Sequence, residues 1–284
     1  MQIHSSLPRL GLLVALGVTA AGVAACGDDD KDSKEASKPK TLAVSVDQGG
    51  KVTSPKTIGG GVVALRYTNN AKTPYSLQMV RVTGDKTVAD VLKVVNSENA
   101  PIPTWITDGG GIGSVKPGAT GTTTQKLPAG RWFLIPGTDN EDKAPKPQTP
   151  ELEVTGGESG GTLPKTDAKI SAFEYGFNSS GLKAGANTLE FDNNGKQLHH
   201  VIAVPVLPGK TFAQAKTFLS TEKGQPAVDF EKSVETTVID GGQKQVVTLD
   251  LPKSGKYALV CFITDREGGA THASKGMVSE ATVS

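Results

Sequence analysis

From residue 41 onwards, short apolar runs alternate with polar positions and end in turn residues. Leu65 and Tyr67 alternate with Arg66 and Thr68, and Leu189 and Phe191 alternate with Glu190 and Asp192. A period of two sends successive side chains to opposite faces of a strand, so these runs predict half-buried, antiparallel β-strands. Asn69-Asn70, Asp192 to Gly195 and Asp240-Gly241-Gly242 punctuate them as turns. The period changes in two places. Val88, Val91, Leu92 and Val95 recur at helical spacing, as do Phe212, Ala215 and Leu219, and each group predicts a short helix.

The pattern occurs twice. Residues 64–75 (ALRYTNNAKTPY) lie over residues 188–199 (TLEFDNNGKQLH) without a gap. Residues 82–88 (VTGDKTV) then lie over 206–212 (VLPGKTF), and residues 127–136 (LPAGRWFLIP) match 251–261 (LPKSGKYALVC) with one residue inserted. Three blocks in the same order imply tandem copies of one fold. The expected boundaries are 41–155 for the first domain and 162–284 for the second, with a Gly-rich linker at 156–161.

The N-terminus reads differently. Arg9 precedes an apolar stretch over residues 10–25, which ends in Val23-Ala24-Ala25-Cys26. A basic residue, a short apolar region and small residues before the cut predict a signal peptide over residues 1–25. The stretch has 16 residues, many of them Ala and Gly, short of the roughly 20 that a membrane span needs. The Val-Ala-Ala-Cys run resembles the bacterial lipobox, which implies that Cys26 is lipidated and holds the protein at a membrane surface. Residues 26–40 are mostly Asp, Lys, Ser, Glu, Ala and Pro, and read as a flexible tether. The expected location is the outer face of the bacterial cytoplasmic membrane or the periplasm. The formal net charge is +1, with no basic block, so nucleic acid is not expected as a partner.

With Cys26 consumed by the anchor, Cys261 is the one remaining thiol in an export compartment that favours disulfides. Such a leftover cysteine is a reactive group, a metal ligand or a buried small hydrophobe. Its company favours a ligand. His199 and His200 are adjacent, and His272 and Met277 follow Cys261. A thiolate, two imidazoles and a thioether are the donor set of a blue-copper site. The order His, then Cys, His and Met near the end of a β domain resembles the cupredoxin (blue copper, plastocyanin-like) family. That resemblance implies an all-β fold of two tandem cupredoxin-like Greek-key β-sandwiches, each with a short helix inserted. It also implies one copper per chain, in the second domain, with Cys261, His199 and His272 in a trigonal plane and Met277 as the weak axial donor.

The register favours His199 over His200 as the first ligand. Neighbouring strand residues cannot both face one core, and His199 aligns with the family's first ligand; His200 is the fallback if a bulge shifts the strand. The first copy has Tyr75 where the second has His199, and Pro136 where the second has Cys261. Its final loop, residues 137–150, contains neither His nor Met. The first domain is therefore expected to bind no copper and to serve for structure, docking or shielding.

The chain departs from the family in one spacing. Ten residues, 262–271, separate Cys261 from His272, and this longer loop is expected to loosen the geometry. The resemblance implies outer-sphere electron transfer to a protein partner, with the His272 imidazole as the edge the partner approaches. Copper capture or delivery, with a copper-exchange partner, and a metal-free binding module are the other readings. An enzyme is not expected: no histidines remain for a second copper centre, and no His-Glu-x-x-His motif is present.

Overall fold

A computed structural model describes residues 38–97, 100–138, 148–156 and 161–284. The expected signal peptide, Cys26 and most of the tether lie outside the described residues, as do linker residues 157–160. Among the described residues, no helix is long and apolar enough to cross a membrane. The described residues between 38 and 284 form one compact unit.

Each repeat is a two-layer β-sandwich whose strands cross between layers in Greek-key fashion, with one short helix. In the first, Lys40–Val46, Gly61–Asn69 and Thr120–Leu127 face a sheet built on Tyr75–Val82, Ile106–Val115 and Gly130–Gly137. In the second, Ala168–Phe173, Gly185–Asn193 and Lys244–Leu251 face a sheet of Val234–Glu235, Ile202–Pro205, Gly255–Val260 and Val278–Val283. The expectation of antiparallel pairing holds for most of these strands. The opening strand of each repeat is the exception, pairing parallel with Gly61–Asn69 or Gly185–Asn193.

Alternation decides what each strand buries. Tyr257, Leu259 and Cys261 enter the main core of the second repeat with Leu189, Phe191, Val201 and Ala203. Their neighbours Ala258 and Val260 face the other way, into a satellite core under the helix with Ala215 and Leu219. The first repeat does the same: Trp132 and Leu134 join its main core, and Phe133 and Ile135 pack with Val91 of its helix. Burying a large apolar side chain fully is worth about 1.5–3 kcal/mol, so both faces of these strands contribute. Asp192 breaks its alternation. It is buried beneath Lys169 and Lys244, which bond its carboxylate at 2.6 and 3.1 Å.

The helices are Val88–Val95 and Phe212–Thr221. Each starts with a capping box, Thr87 with Asp90 and Thr211 with Gln214, which satisfies two backbone groups that a helix end leaves bare. The repeats join through equivalent strands. Thr120–Leu127 and Lys244–Leu251 pair antiparallel, with Gln125 opposite Gln245, and merge the inner layers into one eight-stranded sheet. Antiparallel pairing of like with like is the arrangement of a two-fold dimer, here within one chain.

Candidate metal centre

The first histidine is delivered by a turn that Asn193 organises. Its side-chain amide donates to Gln197 O at 2.8 Å and Ile239 O at 3.2 Å, and its side-chain oxygen accepts from Gly195 N. His199 then pairs with Ile239 through both backbone bonds. His199 has the same parity as Val201 and Ala203 and is fully buried. His200 faces away. It is half-buried, and its Nε2 accepts the Phe262 amide at 3.1 Å.

Cys261 follows Gly255–Val260, and the ten residues after it do not wander. Thr264 bridges Thr271, His272 N donates to Ile263 O at 2.8 Å, and Gly268 N donates to Asp265 O at 2.9 Å. The insertion is a small closed hairpin that returns the chain beside Cys261, so the expected loosening is absent. From His272 to Met277 the chain makes a helical turn, with Met277 N donating to His272 O at 2.8 Å. Gly276 ends that turn at φ 99°, a conformation that suits glycine because it has no Cβ.

The three donors converge. His199 Nδ1 lies 3.1 Å from His272 Nδ1, and Cys261 Sγ lies 3.9 and 3.5 Å from these two nitrogens. All three residues and Met277 are fully buried, and Met277 packs in the core cluster that contains Cys261. The backbone amides of His200 and Ile263 point at the sulfur.

Two carboxylates that the sequence pattern did not single out stand behind the imidazoles. His272 Nε2 lies 2.9 Å from Asp265 Oδ1, and His199 Nε2 lies 3.5 Å from Glu174 Oε1. An ionised carboxylate only accepts, so His272 Nε2 carries the proton and its Nδ1 keeps the lone pair for a metal. This is the outer-shell support that metal-bound histidines usually have. Glu174 is itself held by the amides of Lys196 and Gln197. Asp265 accepts from the Tyr175 hydroxyl at 3.0 Å and from Lys275, whose ammonium also lies 5.1 Å from the Tyr175 ring centroid. Tyr175 in turn stands 5.3 Å from the His272 ring. Tyr175, Asp265 and Lys275 thus roof His272, which has no exposed edge. The expectation that a partner reaches the His272 imidazole directly is corrected: the long hairpin and the residue 173–176 turn supply a cover.

Burial sets the proton affinities. It holds His199 at about 4, assisted by repulsion from His272 and opposed by Glu174. His272 is lowered by burial against the pull of Asp265. Burial pushes the Cys261 thiol up to about 12. For Asp265, burial acts upwards, but bonds from Lys275, Tyr175 and His272 hold it below the usual carboxylate range. At neutral pH the centre offers two neutral imidazoles and a thiol whose proton a bound cation displaces.

The donor set fits copper. Metal bonds to imidazole and thiolate are about 2.0–2.1 and 2.3 Å for zinc, an ion of similar size, and the donor spacings leave room for such an ion. Structural zinc takes its fourth ligand from cysteine, histidine or carboxylate. Met277 packs in the core cluster that contains Cys261, and a thioether added to two imidazoles and a thiolate would make a donor set that suits copper. His199, Cys261 and His272 are the one such group among the described residues.

No protein-family model matches the chain, and no curated protein does. Solved structures do. Auracyanin A, a blue copper protein of Chloroflexus aurantiacus, is 16% identical over 42% of this chain and 100% of its own, with a TM-score of 0.30. The two Greek-key sandwiches, each with a short helix, are themselves of the cupredoxin-like kind. A blue copper oxidase of Nitrosomonas europaea is 12% identical over 86% of this chain and 85% of its own, with a TM-score of 0.24. A copper nitrite reductase of the same organism is 17% identical over 87% of this chain and 94% of its own, with a TM-score of 0.23.

The expectation that the chain is not an enzyme is withdrawn. Solved structures that match over most of its length include a blue copper oxidase and a copper nitrite reductase. The histidine count limits how many coppers one chain holds. It does not limit what chemistry a single copper centre is coupled to.

Proposed function

We propose that the chain is an exported, lipid-anchored protein whose second repeat holds one type 1 copper and exchanges single electrons with a protein partner. Cys26 anchors it, and residues 26–40 give the cupredoxin-like body reach from the membrane. One observation carries the redox reading: two imidazoles and a thiol converge in a closed, fully buried site, and each imidazole has a carboxylate behind it.

Bound copper supplies a one-electron couple. His199, Cys261, His272 and Met277 hold it and keep water away. The amides of His200 and Ile263 stabilise negative charge on the Cys261 sulfur. Asp265 orients the His272 imidazole and Glu174 places a negative charge beside that of His199, so the ligands need little rearrangement between oxidation states. Tyr175 is the aromatic group between His272 and the surface, and electrons cross the centre's cover there.

Closure favours electron transfer over copper delivery, because a delivery site must open to release its ion. The test is the visible spectrum of copper-loaded, oxidised protein, followed by voltammetry of Met277→Leu. A strong thiolate-to-copper band, retained in the variant with a raised potential, supports the electron carrier. Loss of Cu(I) from the variant without a stable Cu(II) form supports copper handling instead. Absence of any band together with no bound copper by metal analysis rejects both in favour of a metal-free module.

A further inference from the structure

The centre is held from outside its own repeat. Ile106–Val115, a glycine-rich strand of the first repeat, lies against residues 234–239 of the second. A Cβ on Gly109 would fall 2.5 Å from Val238 O, and one on Gly113 would fall 2.2 Å from Glu235 O. Only glycine permits that approach. Gln78 of the first repeat grips the same segment, accepting from Val238 N at 2.9 Å and donating to Val238 O at 3.0 Å. Gln243 answers from the second repeat, donating to Asp108 and accepting from Gly109 N. The gripped segment leads to Ile239, the backbone partner of His199.

The ten-residue hairpin is held as well, through Arg266. Its amide donates to Gln197 Oε1 at 2.8 Å, in the turn that delivers His199. Its carbonyl accepts from Ile102 N of the first repeat at 2.7 Å. Its guanidinium reaches Ile106 O at 3.0 Å on one arm and forms an ion pair with Asp240 on the other. The side chain is largely buried, at 20% exposure. One residue therefore ties the loop between Cys261 and His272 to the His199 turn, to Asp240 and to the first repeat. The ties to Gln197 and Ile102 are made by its backbone; those to Ile106 O and Asp240 are made by the guanidinium, and a planar fork with several fixed donors suits them better than a lysine.

We infer that Arg266 is a positioning residue. It locks the Cys261-to-His272 hairpin against the first repeat, which thereby acts as a splint for the metal centre. The consequence for copper rests on the proposed function; the locking itself does not need metal.

The test uses the full chain with Arg266→Ala and Arg266→Lys. Alkylation of Cys261 in the metal-free protein, followed on its own peptide by mass spectrometry, reads loop opening. Arg266→Ala should speed labelling by about tenfold or more, with little dependence on low urea, as local opening requires. Arg266→Lys keeps a charge beside Asp240 but loses the fork, and should recover only part of the protection. Copper affinity of Arg266→Ala, measured by competition, should fall by about tenfold, the lower end for outer-shell changes. An unchanged labelling rate, a rise that tracks global unfolding in urea, or full recovery with lysine would overturn the inference. Faster labelling with unchanged copper affinity would overturn the splint's role at the metal centre while upholding the lock. If the unaltered protein binds no copper, the proposed function fails, and the labelling result alone decides whether Arg266 locks the loop.

Discussion

The two repeats share nearly every structural device and differ at the one place where chemistry is expected. Asn69 shapes the turn before Tyr75 as Asn193 shapes the turn before His199. Each donates its side-chain amide to the carbonyl four residues on, at 2.8 Å in both cases. Both repeats have a capped helix over a satellite core. Yet the delivered residue is Tyr75 in the first, a buried core aromatic, and His199 in the second. The scaffold thus presents the same position whatever residue stands there. Ligands can be lost from it without losing the fold, because they sit where strands end and do not carry the sheet pairing.

The strongest break of this comparison is to remove ligands from one repeat only. Cys261→Ser or His199→Ala should abolish the charge-transfer band and leave no bound copper by metal analysis, because the first repeat has no ligand set. His200→Ala should shift the band slightly or leave it, since that imidazole serves the Phe262 amide. Copper retained without Cys261 would sink the assignment of the metal to the second repeat.

Asp265→Asn tests the outer support. An amide cannot supply the same charge to the His272 proton, so copper affinity should fall by about 10- to 100-fold. A competition titration would show it, and an unchanged affinity would reduce Asp265 to a roof for the site.

Acid should destabilise the metal-free protein through the second repeat. Burial holds His199 and His200 at about 4, whereas unfolded histidine titrates near 6.5. The unfolded state binds more protons between these values, so stability should be full above about 6.5 and fall as pH drops towards 4. Urea melts across this window should show the loss, and His200→Gln should flatten it. A flat profile in the unaltered protein would contradict the burial of these rings.

The smallest effect is a matched pair. Thr87→Ala and Thr211→Ala each remove one capping box and should each cost about 1 kcal/mol. Denaturant unfolding measures both. A large asymmetry would show that one helix bears on the repeat junction and the other does not.

Much of this molecule was legible in the chain. Period-two alternation marked the strands, and the three repeated blocks marked two copies of one architecture. Helical spacing marked both short helices, and parity set His199 apart from His200. These signals are local, because backbone geometry fixes which neighbours share a face. Asp265 lay in the long loop between Cys261 and His272, but nothing in that loop said its carboxylate would meet His272. Glu174 faces His199, and Gln78 bonds Val238, only because segments far apart in sequence fold together. Tertiary structure alone folded residues 262–271 into a closed hairpin, buried His272 under Tyr175 and Lys275, and docked Arg266 on the first repeat. Periodicity shows which side a residue faces; only packing decides what it meets there.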